Sequence, residues 1–104
     1  MGYVADDKSR DKDGRKLQQV FETWLRVNGK LEEYAAARIT SQWETIVGKA
    51  ISRHTTAIYF SNKTMYLRIS SSIVRSELLM LRSQLIDVIN QKAGIELITD
   101  IVIQ

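Results

Sequence analysis

Residues 43–72 read WETIVGKAISRHTTAIYFSNKTMYLRISSS, and this stretch decides the fold. It begins with helical spacing that ends at Gly48 and continues through a short basic connector. Two runs of alternating apolar and polar residues then follow. The change of period from 3.6 to 2 predicts that a helix gives way to a two-stranded hairpin. The stretch therefore predicts a small α+β domain, and the flanking segments supply further helices and a last strand.

The apolar residues of the two runs predict the register of the hairpin. A two-residue turn at Asn62-Lys63 places them all on one face, through the pairs Phe60 with Met65, Ile58 with Leu67 and Thr56 with Ile69. A three-residue loop would instead pair Ile58 with Tyr66 and mix the two faces. The two-residue turn is therefore favoured, and it puts Tyr59 beside Tyr66 and Ala57 beside Arg68 on the opposite face.

Two helical patterns precede the hairpin. The first has apolar residues at helical spacing and ends at Asn28-Gly29, residues that tolerate the left-handed conformation; its stripe is Leu17, Val20, Phe21, Trp24 and Leu25. The second ends at Gly48, and its stripe is Leu31, Ala35, Ile39, Trp43, Ile46 and Val47. Residues 49–53 have the composition of one more helical turn. Core packing is the favoured interpretation for both tryptophans, ahead of stacking on a ligand.

A long helix and a third strand are predicted after the hairpin. Ser70-Ser71-Ser72 offers N-cap residues, and residues 90–94 close the helix; its stripe is Val74, Leu78, Leu81, Leu85 and Val88 or Ile89. Glu96 to Gln104 alternates again and predicts the last strand. The element order is α-α-β-β-α-β, which defines an α+β fold with a three-stranded sheet and helices packed on its apolar face.

Length and composition predict one folded domain. The chain has 104 residues, no cysteine and no proline, and 44% of its residues are hydrophobic. Without cysteine there is no disulfide framework, and no apolar run reaches the length of a membrane span, so a cytoplasmic location is expected. Residues 1–14 carry charges of both signs and contain few apolar side chains that could be buried. They are predicted to be a flexible charged tail, and residues 15–104 are predicted to be a single domain.

Positive charge is concentrated in the middle of the chain. The formal net charge is +3, but residues 34–75 contain six basic residues against the single acidic Glu44. Such an excess attracts polyanions. It is equally typical of the surface charge that any small soluble domain needs.

The predicted site for nucleic acid lies on the hairpin and its connector. Four cations are expected to capture the phosphate backbone, assisted by two tyrosines on the sheet; the residues are Lys49, Arg53, Lys63, Arg68, Tyr59 and Tyr66. Tyrosines also suit strands and pair across them for stability, and for these two rings alone this second interpretation is favoured.

The sequence predicts no catalytic site, no metal site and no cofactor. His54 is the only histidine, and the hydroxyls near it are sequence neighbours rather than a triad. We expect it to make a local hydrogen bond at the start of a strand or to lie on the basic surface. The run Gly48-Lys49-Ala50-Ile51 has one glycine, so it is neither a P-loop nor the GxxG clamp of standard KH domains.

Several of these residues together resemble the DciA-like family. The resemblance covers residues 17–104 and rests on Trp43, Val47, Gly48, Ala50, Ile51, His54, Thr55, Asn62, Leu67, Ser71, Ser72, Val74, Arg75, Glu77 and Leu78. It differs from the family pattern at Thr56, where proline is common, and at Val74, where tryptophan is common. The resemblance implies a KH-like fold without the GxxG loop, DNA binding, and, in some bacteria, assistance in loading the replicative helicase at replication initiation.

The sequence therefore predicts a non-enzymatic adaptor that binds nucleic acid, with DNA favoured over RNA and the replicative helicase as a second expected partner. No membrane and no small-molecule substrate is expected. The alternatives are an RNA-binding KH-like protein and a protein–protein interaction module whose basic surface is incidental. The second alternative predicts a contact through an exposed part of the long helix, around Met80 and Ile86.

Overall fold

The computed structural model describes the backbone from Asp7 to Gln104 and the side chains from Gly14 onward. The elements follow the predicted order, with additional breaks in the helices. They are α1 (Asp7–Val27), α2 (Leu31–Ser41), α3 (Trp43–Val47), α4 (Lys49–Arg53), β1 (Thr55–Ser61), β2 (Thr64–Ile69), α5 (Ser72–Met80), α6 (Arg82–Ala93) and β3 (Asp100–Ile103). The α+β class and the three-stranded sheet predicted from the sequence are confirmed.

The chain divides into two compact units, one ending at Tyr34 and the other spanning Ala35–Gln104. The second unit contains the whole sheet. The predicted tail, residues 1–14, lies partly outside the described residues; Asp7–Gly14 are the first residues of α1. The division into a flexible tail and a domain stays a prediction. Among the described residues, no helix combines the length and the apolar character needed to cross a membrane.

The sheet has the order β1-β2-β3, with β2 in the centre. β1 and β2 are antiparallel, whereas β2 and β3 are parallel. The predicted register is confirmed for Phe60 with Met65, Ile58 with Leu67, Tyr59 with Tyr66, and Ala57 with Arg68. The predicted pair of Thr56 with Ile69 is wrong. A bulge between Thr55 and Ala57 leaves Thr55 opposite Ile69, and the Thr56 hydroxyl donates to the Arg68 carbonyl at 3.2 Å.

The hairpin turn is the two-residue turn predicted from the register. Asn62 and Lys63 have φ of 51° and 58°, and these are the non-glycine residues of the described chain with positive φ. Positive φ at both central positions is what a type I′ turn requires, and this turn matches the twist of the flanking strands. The turn therefore fixes which residues of β1 and β2 share a face.

The core lies between one face of the sheet and the helices of the second unit. β2 contributes most to it, since Met65, Leu67 and Ile69 are almost wholly buried. The helices cover these residues with Ala35, Ile39, Trp43, Leu78, Leu85 and Ile89. At about 25 cal/mol per Å² of buried apolar surface, this one-sided burial is the main force holding the sheet.

The prediction of a single long helix after the hairpin is wrong in one respect, because the helix breaks at Leu81. This residue has φ −101° and ψ 11°, outside the helical region, and its N–H is shared between the carbonyls of Glu77 and Leu78. The break separates α5 from α6, and nothing in the local sequence, which lacks glycine and proline, explains it. The predicted N-cap is confirmed, since the Ser71 hydroxyl accepts from the Val74 N–H.

The third strand is shorter than predicted because the side chain of Asn90 occupies the backbone that precedes it. Asn90 Oδ1 accepts from the N–H groups of Leu97 (2.9 Å) and Ile98 (3.0 Å), and Asn90 Nδ2 donates to the Ile98 carbonyl (2.9 Å). These groups are therefore not available to a strand neighbour. The strand begins at Asp100 instead of near Glu96.

The two tryptophans have different environments. Trp43 is buried, and its Nε1 donates to Thr55 Oγ1 at 3.0 Å, while Thr55 Oγ1 donates to the Ile51 carbonyl at 2.7 Å. The prediction of a core position is correct for Trp43 and wrong for Trp24, which is 56% exposed. Within the first unit the Trp24 ring stacks on Phe21, with ring centroids 6.3 Å apart.

Candidate nucleic-acid interface

The outer face of the hairpin presents two stacked aromatic rings. Tyr59 and Tyr66 lie directly opposite each other, with ring centroids 4.7 Å apart and planes within 7°. The buried residues of β2 and β3 and the partly buried Ile58 and Phe60 of β1 point to the opposite face, and Tyr59 is 49% exposed. Because side chains alternate across a strand, the arrangement follows from the register that the turn sets. The pair forms a flat, partly exposed aromatic surface.

Arg68 extends this surface toward one end of the hairpin. It lies two residues after Tyr66 on the same face of β2, opposite Ala57, and it is exposed. A guanidinium beside aromatic rings offers both a charge for phosphate and a plane for base stacking. Tyr59, Tyr66 and Arg68 are therefore brought together on one face, as the register predicted.

Lys49 and Arg53 lie on α4, immediately before β1. Together with Glu44 and Ser52 they line a shallow depression on the surface. Gly48, with φ 90° and ψ 167°, separates α3 from α4 and starts this one-turn helix. The two cations thus lie beside the Glu44 carboxylate. They are located near the end of the hairpin at which β1 begins.

Lys63 lies at the other end of the hairpin. Its Nζ donates to the Glu96 carbonyl at 3.0 Å and is 4.0 Å from Glu96 Oε1. Arg68 lies five positions after Lys63 along the extended chain, which corresponds to about 16 Å. A surface ion pair of this kind is worth at most about 1 kcal/mol. Lys63 is therefore partly neutralised and stands apart from Arg68.

The base of the hairpin holds His54 and a cation that the sequence did not select. His54 makes the local contact that was predicted, with Nδ1 3.3 Å from Ser70 Oγ, and its carbonyl accepts from the Ser70 N–H. Arg75, on α5, donates from Nη2 to the Ile69 carbonyl at 3.0 Å. Its Nε is buried and has no hydrogen-bond partner among the described residues. The sequence signals for Arg75 were its place among the six basic residues of 34–75 and among the residues that carry the family resemblance.

The six predicted site residues therefore occupy three places along the hairpin. Arg68 and the tyrosines share the outer face, Lys49 and Arg53 lie on α4 before β1, and Lys63 is at the turn. Whether they bind nucleic acid stays a prediction. Among the described side chains, no group of three or more histidine, aspartate or glutamate residues is placed to hold a metal ion.

Asp100, at the start of β3, is a carboxylate whose pKa is perturbed by its hydrogen bonds. Arg82 donates to Asp100 Oδ1 from Nε at 3.1 Å and also from Nη2, and the Ile101 N–H donates to the same oxygen at 2.8 Å. These hydrogen bonds, first that of Arg82 and then that of Ile101, lower the pKa of Asp100 below its ordinary value of 3.8. The ion pair joins the start of α6 to the start of β3.

Replacement of Arg82 by glutamine should therefore give a pH-dependent loss of stability. A lowered pKa means that the carboxylate stabilises the folded state above pH 3.8, and this contribution disappears as the pH falls through the folded value. We expect a small deficit in the free energy of unfolding at neutral pH that closes in acid, measured by urea unfolding across that range. Lys92→Gln, on the same helix, should show no such pH dependence. A deficit of the same size at every pH would contradict the conclusion that Arg82 lowers the pKa of Asp100.

The fold and this face together define a small α+β domain with one helix-covered and one open sheet surface. The chain matches the model of the family described as Dna[CI] antecedent, DciA, over residues 16–103. The chain therefore belongs to the DciA family.

One curated relative is a UPF0232 protein of Corynebacterium glutamicum (strain R), 27% identical over 100 residues. The match covers 96% of this chain and 56% of the relative, so the chain spans about half the length of the relative it matches. A comparison with solved structures found no match.

Proposed function

We propose that this protein is a non-enzymatic adaptor that binds single-stranded nucleic acid, with DNA favoured over RNA. The observation that carries the proposal is the stacked pair of Tyr59 and Tyr66 on an open sheet face beside Arg68. Stacking on aromatic rings combined with phosphate attraction is a common way in which sheets bind single strands. Membership of the DciA family supports a role in assisting the replicative helicase, and a cytoplasmic location belongs to the same proposal.

The proposed path of the strand runs along the outer face toward the base of the hairpin. Bases stack on the tyrosines, and phosphates meet Arg68 first and then Arg53 and Lys49. Arg75 joins this set because its guanidinium lies at the Ile69 carbonyl, where β2 ends. Lys63 makes the weakest contribution, since Glu96 already holds its ammonium group.

Salt dependence of binding tests the electrostatic part of the proposal. We expect the affinity for labelled single-stranded DNA to fall steeply with salt, with a logarithmic slope of about −0.7 for each phosphate neutralised. Lys49→Glu, Arg53→Glu and Arg68→Glu should each weaken binding about tenfold or more at low salt, measured by fluorescence anisotropy. RNA of the same sequence, used in parallel, decides between the two nucleic acids.

Lys92→Glu is the matched control, because it changes the net charge by the same amount on the last turn of α6. It should weaken binding much less than the three site variants. Negligible binding of the unmodified protein at low salt would refute the proposal. An equal loss from Lys92→Glu would show that the attraction depends on net charge and not on this site.

A second candidate function, a protein–protein adaptor, is favoured by exposed apolar residues of α5. Ile73, Leu79 and Met80 are large apolar residues that are mostly exposed, and Met80 is 76% exposed. Exposed apolar side chains of this kind are typical of contact surfaces. Ile86, expected beside Met80, instead packs against the core. Capture of the replicative helicase after nuclease treatment would favour this second function, provided that Met80→Glu abolishes the capture. Capture only when nucleic acid is present would favour the nucleic-acid-binding function.

A further inference from the structure

The outer edge of β1 has unusually little protection against pairing with another strand. β1 is at the edge of the sheet, seven residues long, and its sequence TTAIYFS contains no charge, proline or glycine. Natural edge strands are usually shielded by charged residues, prolines or bulges. Here the bulge lies at the Thr55–Ala57 end, and the remainder of the strand is regular.

The turn geometry shows which backbone groups of β1 point to that edge. A two-residue turn makes Ser61 and Thr64 a hydrogen-bonded pair, so Tyr59 and Ala57 also bond to β2 by alternation. The N–H and C=O groups of Ile58 and Phe60 therefore point outward. No hydrogen bond is made to these four groups by the part of the chain that the structure describes.

The side chains at this edge are also incompletely covered. Ile58 and Phe60 lie on the apolar face, but both are only partly buried, whereas Met65 and Leu67 beside them on β2 are fully buried. A neighbouring strand beyond β1 would cover the exposed parts of Ile58 and Phe60. At this edge, the residues whose backbone groups are unpaired are therefore the same residues whose apolar side chains are incompletely covered, namely Ile58 and Phe60.

We propose that β1 pairs with β1 of a second copy of this chain, antiparallel and with Tyr59 on the two-fold axis. In this register Ile58 faces Phe60 of the other copy and Phe60 faces Ile58, so all four outward groups of each strand form hydrogen bonds. A register centred on Ile58 would involve the bulged Thr56 and leave groups unpaired. The proposal does not depend on nucleic-acid binding.

The chemistry of β1 favours a second copy over an unrelated peptide. An uncharged strand meets itself without the repulsion of like charges placed opposite each other. The two-fold axis also places the two Tyr59 rings side by side, which continues the stacked pair with Tyr66 into a row of four rings. On the other face, Ile58 and Phe60 of the two copies cover one another. The result is a six-stranded sheet with its open faces on the same side.

The contact is small, so the dimer should be weak. One strand pair with four hydrogen bonds buries much less than the roughly 1,600 Å² of a standard stable interface. We expect a dissociation constant between about 1 μM and 1 mM, measured by sedimentation over that concentration range. Tyr59→Phe should dimerise like the unmodified chain. Tyr59→Lys, which places two ammonium groups at the axis, should raise the dissociation constant at least tenfold.

A single cysteine tests the register, because the chain contains none of its own. Residues that face each other as a non-hydrogen-bonded pair have Cα atoms about 4.5 Å apart, within the range that a disulfide bridges. Tyr59→Cys should therefore form a covalent dimer in a thiol–disulfide buffer. Ser61→Cys is the matched control, since the two Ser61 residues would lie about 14 Å apart, and it should remain monomeric.

Amide hydrogen exchange gives a readout that does not rely on substitutions. The N–H groups of Ile58 and Phe60 should become more protected as the protein concentration rises, whereas those of Tyr59 and Ala57 should be protected throughout. A monomer at all concentrations would overturn the proposal. So would equal cross-linking of the two cysteine variants, or protection of Ile58 and Phe60 only by an added extended peptide.

Discussion

Replacement of Asn90 by leucine is expected to lower the free energy of unfolding by about 3 kcal/mol, the largest effect of any single polar substitution proposed for this chain. Leucine has nearly the same shape but cannot hydrogen-bond. The Ile98 N–H and carbonyl would lose their partner, and the Leu97 N–H would keep only its bond to the Ile95 carbonyl. Each buried group left unpaired costs about 1–3 kcal/mol. Urea unfolding measures the difference.

Asn90→Asp is the informative companion to that substitution. The carboxylate retains oxygens that accept from Leu97 and Ile98, but it cannot donate to the Ile98 carbonyl as Nδ2 does. At neutral pH we expect a smaller loss than for leucine. Gln91→Ala, at an exposed position on the same helix, should change stability by less than about 0.5 kcal/mol. Equal stability of the leucine variant and the unmodified protein would show that the three hydrogen bonds are not needed.

Removal of both outer-face rings, Tyr59→Ala with Tyr66→Ala, is expected to weaken binding of single-stranded DNA by at least about 30-fold. Base stacking on an aromatic side chain is worth about 1–3 kcal/mol per base, and two rings are lost. The effect should persist at high salt, since stacking is not an ionic contact, and this separates it from the losses caused by changing Lys49 or Arg53. Anisotropy titrations at two salt concentrations measure both effects.

Phenylalanine at both positions is the matched control for this pair. The rings remain and only the hydroxyl groups are lost, so affinity should stay within about twofold of the unmodified protein. Loss of the stacked pair also removes about 0.5–1.5 kcal/mol of stability, so the alanine variant must be shown to remain folded by thermal unfolding. If alanine leaves the affinity unchanged, or if phenylalanine is as damaging as alanine, the rings do not contact bases.

The hairpin was predictable because its information is local. The alternation of residues 56–69 has one arrangement that puts all the strongly apolar side chains on one face, and Asn62 suits the positive φ at the turn. The stack of Tyr59 on Tyr66 follows from that register without further information. The end of the preceding helix was predictable for the same reason, because Gly48 adopts a positive φ that few other residues tolerate.

The features that were not predicted depend on contacts distant in sequence. The start of β3 is set by a side chain seven residues before Leu97, and the position of Lys63 by Glu96, 33 residues away. The exposure of Trp24 could not be predicted from its place on an apolar stripe. Such a stripe indicates that a helix face tends to be buried, but it does not show which element packs against that face. The cations could therefore be named from the sequence, but not their separation along the hairpin.

The central position of β2 has a consequence for synthesis on the ribosome. One edge of β2 pairs with β1, which precedes β2 in the chain. The other edge pairs with residues 100–103, which are translated more than thirty residues later. The hairpin can form early in translation, while the most buried strand still has one edge open to other nascent chains. Completion of the sheet must wait for the late parallel pairing, a slow, long-range step that sets the interval during which a chaperone would be useful.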